Sequence, residues 1–230
     1  EHVIVLRGTM EVLLDEQWQP LSEGDASKAV LCLKRVLDSK NISAVVLSDY
    51  GLGFCTPALC RSSIAAARER GVPVFVDPRG NDWEKYRGAT ISTPNLSELA
   101  AAWGEAVPNE DGAVARVGEE MRRRAGLEWL LVTRSARGMT LIGEDGATHI
   151  TARPVEVFDV SGAGDTVIAC LAASVAADFS MESAVRFANE AAQVVVTRAG
   201  TWPIGASELL AEHDRIHEAS RGSRVASREA

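Results

Sequence analysis

The stretch Gly162-Ala163-Gly164-Asp165 combines two glycines with a carboxylate at the point where an apolar helix is predicted to begin. Glycine lets backbone N–H groups approach an anion closely, and a helix dipole favours negative charge at its N-terminus. In the same first turn Asp165 would stay ionised, as a base for a hydroxyl must be. The alternative is structural: a turn softened by glycine, with Asp165 matching the helix dipole.

Two common phosphate-binding patterns are excluded for this stretch. A dinucleotide fingerprint needs a third glycine where this chain has Val167, and a Walker A loop needs a lysine that does not follow here. What remains is an anion-binding helix N-terminus beside a candidate base.

A second candidate is Asn95-Leu96-Ser97-Glu98, where Asn95 follows a proline and is predicted to start a helix. Asn95 and Glu98 have the spacing of a capping box, so a purely structural account is complete. The functional alternative places both residues near a cluster of metal and phosphate, where Glu98 would hold a water bound to Mg²⁺.

Other polar residues follow predicted strands. Thr133 and Arg134, with Gly138 after them, supply a hydroxyl and a guanidinium that could meet ATP phosphates, or they form a strand end with a solvated arginine. The stretches Asp49-Tyr50-Gly51 and Asp77-Pro78-Arg79-Gly80 are either functional strand ends or ordinary turns. No histidine or cysteine spacing in the sequence indicates a metal site.

The elements between these motifs alternate. Helical patterns are predicted at 26–39, 56–70, 110–125, 163–177, 183–197 and 206–220, with a further helix opening at Asn95 and buried strands in between. This alternation is typical of an α/β sandwich around a mostly parallel sheet, whose strands bring their carboxyl ends to one edge. We expect five polar residues to collect at that edge: Asp49, Asp77, Asn95, Thr133 and Asp159.

The composition is that of a globular protein: 230 residues, 46% hydrophobic, with a net charge of −8. That charge argues against a general nucleic-acid surface, which needs a basic stripe. The longest apolar run, 167–177, is too short to span a bilayer. Four scattered cysteines fit free thiols in a reducing cytosol, so we expect a cytoplasmic protein that partners neither nucleic acid nor membrane.

Taken together, these stretches resemble the PfkB/ribokinase family of carbohydrate kinases, whose signature is an aspartate, a Gly-Ala-Gly-Asp turn and a long apolar helix, here 159–177. The chain is more closely similar to the kinase domain of the bifunctional heptose 7-phosphate kinase/heptose 1-phosphate adenylyltransferase enzymes. Five stretches carry this likeness in family order: VVLSDYGLG, VPVFVDPRGNDWEKYRGATISTPNLSELAA, LLVTRSARGMTLI, EVFDVSGAGDTVIACLAA and FANEAAQVVVTRAGT.

The resemblance implies a role for the two leading motifs. Asp165 would deprotonate the acceptor hydroxyl of the sugar, and the N–H groups of Gly162, Ala163 and Gly164 would stabilise charge on the transferred phosphoryl group. The Mg²⁺–ATP phosphates would be organised by Asn95 and by Glu98, the latter through a metal-bound water.

Further roles follow from the same resemblance. Thr133, Arg134 and Gly138 would lie along the nucleotide, and Asn189 would lie near its adenine. Asp159 and Ser161 match the region where relatives hold a monovalent cation such as K⁺. The candidate substrate-binding residues are Asp49 and Tyr50.

The sequence departs from the family pattern at several places. Ser161 stands where relatives carry threonine, and the serine keeps the hydroxyl oxygen. Leu52 stands where relatives carry a lysine. The family's first strands and its glycine-rich sugar-binding segment are absent, so we expect an N-terminally truncated ribokinase-like three-layer sandwich. No H-x-G-H stretch of an adenylyltransferase follows.

We therefore expect residues 1–20 to be a remnant of a small lid sheet, 21–218 to form the kinase core and 219–230 to form a flexible tail. The implied reaction is ATP-dependent phosphorylation of the anomeric hydroxyl of D-glycero-D-manno-heptose 7-phosphate, with a homodimer as the full-length form. The alternatives are another PfkB-type sugar or nucleoside kinase, or a non-catalytic remnant that binds nucleotide.

Overall fold

The computed structural model describes residues 2–7, 11–14, 17–20, 26–39, 41–200, 205 and 207–211, with side chains from residue 28 onward. The strands are β1 (His2–Arg7), β2 (Glu11–Leu14), β3 (Gln17–Pro20), β4 (Ile42–Ser48), β5 (Val74–Asp77), β6 (Ile91–Ser92), β7 (Trp129–Thr133), β8 (Met139–Gly143) and β9 (Gly146–Ile150). The α-helices are α1 (Ala26–Ser39), α2 (Pro57–Arg68), α3 (Leu96–Trp103), α4 (Asp111–Ala125), α5 (Ala163–Ala176) and α6 (Met181–Val195).

These strands form one sheet in the order β3-β2-β1-β4-β5-β6-β7-β8-β9. From β1 to β7 the neighbours run parallel. The pairs at either end, β1–β2–β3 and β7–β8–β9, are antiparallel hairpins. The parallel centre confirms the α/β class expected from the alternating pattern.

Side-chain alternation along the central strand β4 builds a core on each face of the sheet. Val45 and Leu47 pack with α1, α2, α3 and α4 on one face. Ala44 and Val46 pack on the other face against α5 and α6. Since both faces are covered, residues 44–47 of β4 are a continuous apolar run, as the sequence predicts. The result is a three-layer sandwich.

Local signals fix where the helices begin and end. Thr56 caps α2 by accepting a hydrogen bond from the Leu59 amide, and Pro57 occupies the first turn, where its missing N–H costs nothing. The last turn of α4 carries three arginines and is followed by Gly126 in the left-handed conformation at φ 62°. The predicted limits of 56–70 and 110–125 are therefore close to those observed.

The first strands leave one expectation open, and the segment before Asp159 corrects another. β1 and β2 form an antiparallel hairpin, and β1 also pairs in parallel with β4, so these strands extend the central sheet. That residues 1–20 are a remnant of a lid sheet stays a prediction. The strand predicted before Asp159 is replaced by an irregular segment, in which Phe158 and Asp159 donate backbone hydrogen bonds to the Val196 carbonyl instead.

The remaining expectations concern the thiols and the ends of the chain. The cysteines are free, and burial raises the pKa of the Cys170 thiol to about 11. Among the described residues no helix has the length and apolar character to cross a membrane. The predicted tail over 219–230, and most of the helix predicted at 206–220, lie outside the described residues.

Candidate active site at the carboxyl edge of the sheet

The carboxyl ends of the parallel strands meet as predicted. The Asp49 amide, just after β4, donates to the carbonyl of Asp77 at the end of β5, at 3.0 Å. The amide of Thr133, at the end of β7, donates to the Pro94 carbonyl at 2.9 Å. These backbone hydrogen bonds join the end of β4 to that of β5 and the end of β6 to that of β7, so four successive strand ends lie along one edge.

The Gly162–Asp165 turn forms the N-terminus of α5. Gly162 is the N-cap at φ 79°, a left-handed conformation that favours glycine, and no side chain in the described residues caps the helix. A Cβ placed on Gly164 would meet no described atom within 4 Å. Of the three candidate donors, the Ala163 amide already donates to the Val160 carbonyl at 3.2 Å. The space over Gly164 leaves room for an anion.

Tyr50 connects β4 to this turn. Its phenol Oη donates a hydrogen bond of 3.1 Å to Asp165 Oδ1, across 115 positions of the sequence. The bond orients one carboxylate oxygen of the candidate base. Tyr50 is therefore close to the reacting end of Asp165.

Replacing Tyr50 with phenylalanine is expected to lower kcat about tenfold and to leave KM for ATP unchanged, because a hydrogen bond to a charged group is lost. Steady-state rates at saturating sugar measure the effect. As control, Tyr86→Phe removes the buried phenol that bonds Asp49, and should lower thermal stability more than Tyr50→Phe does. Equal kcat for Tyr50→Phe and the parent would contradict the orienting role.

Asp49, expected to bind substrate, is instead enclosed. It is 5% exposed, and its Oδ2 accepts from Lys85 Nζ at 2.6 Å and from Tyr86 Oη at 2.7 Å. Its Oδ1 accepts from the Gly51 amide at 2.7 Å. Because both oxygens are engaged within the protein, Asp49 holds the turn that presents Tyr50.

Both readings of the Asn95–Glu98 pair are compatible with the geometry. The capping box is formed: Asn95 Oδ1 accepts from the Glu98 amide and Glu98 Oε2 from the Asn95 amide, each at 2.9 Å. The other oxygen, Oε1, lies 3.1 Å from Arg79 Nη1. Glu98 thus caps α3 with one oxygen and presents the second, paired with a guanidinium, toward the edge of the sheet.

The edge carries concentrated negative charge. Burial, followed by the charges of Glu98 and Asp165, raises the pKa of the Asp77 carboxyl to about 7, although Arg79 lowers it. Among the described residues no group of three or more His, Cys, Asp or Glu side chains could by itself hold a metal ion. Isolated carboxylate oxygens of this kind fit Mg²⁺, which keeps several waters and is held largely by substrate phosphates.

Arg134 does not lie where a nucleotide ligand was expected. Its side chain is 1% exposed, and Nη1 lies 2.6 Å from Asp111 Oδ1. The hydrogen bond from Arg134 lowers the pKa of the Asp111 carboxyl. The side chain turns into the protein, toward Asp111 at the start of α4. The guanidinium is buried and pairs with the first residue of α4.

Gly138 is a glycine for a steric reason. It has φ 80°, and a Cβ there would lie 2.1 Å from the Ile150 carbonyl oxygen and 2.5 Å from the Ala152 nitrogen. The backbone of β9 passes directly over it. A place along the nucleotide is compatible with this geometry but is not needed to explain the residue.

Gly138→Ala is expected to lower the free energy of unfolding by about 3 kcal/mol or more, because a positive φ costs about 1–3 kcal/mol and the backbone clash adds to it. Urea unfolding measures the change. Gly146→Ala is the matched control, since Gly146 has φ 116° but its Cβ would meet no described atom within 4 Å. An equal loss in both variants would show that backbone strain alone acts at Gly138.

Asn189 and Asp159 tie the α5–α6 side together. Asn189 Nδ2 donates to the Thr151 carbonyl at 3.2 Å and fixes the end of β9 against α6. Asp159 accepts from the Ser161 amide at 2.8 Å and from the Gly200 amide at 3.0 Å. These backbone donors hold the pKa of Asp159 below its usual value. Asp159, Ser161 and Gly200 are thus brought together by hydrogen bonds.

Four residues of this edge were missed as individuals in the sequence. Asp49 is contacted by Lys85 and Tyr86, and Glu98 is contacted by Arg79. The only signal for these three residues in the sequence was the turn at 77–80. His149 lies with Nδ1 3.0 Å from Thr140 Oγ1. Its contact is made across the β8–β9 pair, in which Thr140 lies opposite His149.

Solved structures share this architecture. Phosphofructokinase-2 from Escherichia coli in complex with potassium is similar with a TM-score of 0.71 at 17% identity, over 87% of this chain and 64% of that one. Ribokinase from Arabidopsis thaliana, complexed with ribose and ATP, gives a TM-score of 0.67 at 21% identity, over 84% and 59%. At these identities the likeness shows the fold alone, and it confirms the ribokinase-like sandwich.

Curated relatives are much more similar in sequence. The bifunctional protein HldE of Rhodospirillum rubrum is 41% identical over 212 residues, 92% of this chain and 42% of the relative. HldE of Alcanivorax borkumensis is 52% identical over 168 residues, 72% of this chain and 34% of the relative. The chain thus spans less than half the length of these proteins. A model of the family described as pfkB family carbohydrate kinase matches residues 23–205. The chain belongs to the pfkB family of carbohydrate kinases.

Proposed function

We propose that this chain is the kinase part of a protein that transfers the γ-phosphoryl group of ATP to the anomeric hydroxyl of D-glycero-D-manno-heptose 7-phosphate. The product is the 1,7-bisphosphate, a precursor of ADP-heptose for lipopolysaccharide. One observation supports the chemistry most: Asp165 lies in the first turn of an α-helix without a side-chain cap, and Tyr50 orients its carboxylate. The likeness to HldE proteins supports the choice of sugar.

In the proposed mechanism the oxygen of the anomeric hydroxyl forms a bond to the γ-phosphorus of ATP, and Asp165 accepts the proton that this hydroxyl loses. The bond between that phosphorus and the β–γ bridging oxygen breaks, and ADP leaves. The helix dipole and the first-turn amides of α5 stabilise the charge on the transferred group. Mg²⁺, when bound with ATP, neutralises phosphate charge, and Glu98 would hold one of its waters.

The nucleotide and cation contacts are proposals of the same kind. Thr133 and Gly138 are proposed to line the phosphates, and Asn189 to border the adenine. Asp159 and Ser161, with the backbone near Gly200, are proposed to hold K⁺, because the Asp159 carboxylate brings Ser161 and Gly200 together close to the start of α5. The solved relative with potassium makes the choice of ion reasonable.

The proposed setting is a cytoplasmic homodimer whose partner is a small sugar phosphate, without nucleic acid or membrane. The net charge of −8 supports the absence of a general nucleic-acid surface. Sedimentation at several protein concentrations tests the dimer.

The test of function compares turnover of ATP with heptose 7-phosphate, ribose and fructose 6-phosphate. Turnover restricted to heptose 7-phosphate is the expected result. Preference for another sugar or a nucleoside would instead show a different kinase of the same family. Nucleotide binding without transfer to any acceptor would favour a non-catalytic remnant.

A further inference from the structure

The turn that joins β7 to β8 is held in an unusual backbone conformation. A short 3₁₀-helix, Ser135–Arg137, is closed by hydrogen bonds from the Arg134 amide to the Gly138 carbonyl at 2.7 Å and from the Gly138 amide to the Ser135 carbonyl at 2.9 Å. Ser135 has φ 53°, although it carries a side chain. Such a residue costs of order 1–3 kcal/mol and persists only where its surroundings hold it.

The Arg134 side chain supplies that hold. Nε donates to Asn109 Oδ1 at 2.8 Å, and Nη1 donates to Asp111 Oδ1 at 2.6 Å and to Thr140 Oγ1 at 3.0 Å. Asn109 Nδ2 in turn contacts the Arg134 carbonyl at 3.4 Å. One guanidinium therefore links the end of β7 to β8 and to the segment that opens α4.

Stability alone explains this arginine poorly. The side chain is 1% exposed, and its Nη2 has no hydrogen-bond partner among the described residues. Replacing a buried ion pair with apolar residues of similar volume is often neutral or stabilising. A buried cation that is only partly paired is better explained by the conformation that it fixes.

The turn is braced against the Asn95–Glu98 pair. Thr133, which precedes Arg134, forms a parallel bridge with Asn95, and its amide donates to the Pro94 carbonyl at 2.9 Å. A shift of the turn would therefore move the start of α3 as well. Both segments lie at the edge where Asp165 is found.

We infer that Arg134 is a positioning residue, which never contacts the nucleotide but holds the 133–138 turn in the conformation that receives the nucleotide's phosphates. The inference rests on the proposed function, and it replaces direct contact with action through Asn109, Asp111 and Thr140. Arginine serves here because its planar fork reaches separate acceptors at fixed angles, which lysine cannot do.

The test combines two measurements on Arg134→Met and Arg134→Lys. Calorimetric titration with Mg²⁺ and the non-hydrolysable ATP analogue adenylyl imidodiphosphate gives the affinity, and hydrogen exchange gives the protection of amides at 134–138. We expect Arg134→Met to lose affinity roughly tenfold, in the range of couplings transmitted through packed residues. Exchange in the turn should become faster, and Arg134→Lys should recover part of both effects.

Arg122→Met is the matched control. Arg122 is 11% exposed, pairs with Glu119 on α4 and donates to the carbonyls of Leu127 and Glu128 at the opposite end of β7. Arg122→Met should reduce the stability of the protein but change its affinity for the ATP analogue less than twofold. Asp111→Asn, at a side chain that is 60% exposed, gives the same test with little risk to folding and should weaken affinity in the same direction.

Each result decides the matter. Unchanged affinity in Arg134→Met, or an equal loss in Arg122→Met, would overturn the positioning role. If the parent chain binds no nucleotide, the proposed function fails for this chain. In that case hydrogen exchange alone tests whether Arg134 holds the 133–138 turn. Unchanged protection of the turn amides in Arg134→Met would overturn that role.

Discussion

Asp165→Asn is expected to lower sugar phosphorylation by roughly 10³-fold or more while it leaves ATP binding within about twofold, because a proton acceptor is lost without loss of shape. Tyr50 Oη can still donate to the asparagine oxygen, so the local structure should persist. Single-turnover rates in an active form of the protein, together with calorimetric ATP titration, separate the two effects.

Asp178→Asn serves as control at the other end of the same helix. Asp178 follows α5 at φ 62°, a conformation that asparagine adopts readily, so this change removes a carboxylate at little structural cost. Its rate should match that of the parent. Turnover retained in Asp165→Asn would remove Asp165 from the role of base and leave the helix-dipole account of this residue.

Glu98→Gln is expected to raise the Mg²⁺ concentration for half-maximal rate about tenfold. Glutamine can still accept the Asn95 amide and complete a capping box, so α3 should keep its N-terminus. What disappears is the charge of the oxygen that now faces Arg79, and with it the attraction for a hydrated divalent cation. Rates over a Mg²⁺ series at fixed ATP measure the shift.

Glu98→Ala separates the cap from the charge. It should show the same Mg²⁺ shift and also lose about 1 kcal/mol of stability, because one half of the capping box is gone. An unchanged Mg²⁺ series in Glu98→Gln, with a stability loss only in Glu98→Ala, would mean that Glu98 is a capping residue and nothing more.

The fold could be predicted from the sequence because its signals are local. The apolar run of β4, the cap at Thr56 and the glycine after α4 each act within a few residues. The short β6, of two residues, and the irregular segment before Asp159 were harder, since pairing partners rather than composition decide them. The pairing of β1 with β4 also depends on a partner that is distant in the sequence.

The candidate site divides along the same line. Strand ends predicted which residues share an edge, and the capping box was readable from its spacing. The direction of a side chain could not be predicted from the sequence. Asp49 turns inward to Lys85, which is 36 positions away, and Arg134 turns inward to Asp111, which is 23 positions away. Partners this distant leave no periodic signal, and a polar residue at a strand end looks the same whether it faces a groove or the interior.

The parallel pairing of β1 with β4 has a practical consequence for solubility. Residues His2–Arg7 pair with one hydrogen-bonding side of β4, a strand whose own apolar side chains are buried on both faces of the sheet. A variant that starts at residue 21 would leave β4 as an open, apolar border, and such borders recruit strands from other molecules. That shortened form should self-associate in light scattering, whereas the longer chain stays dispersed.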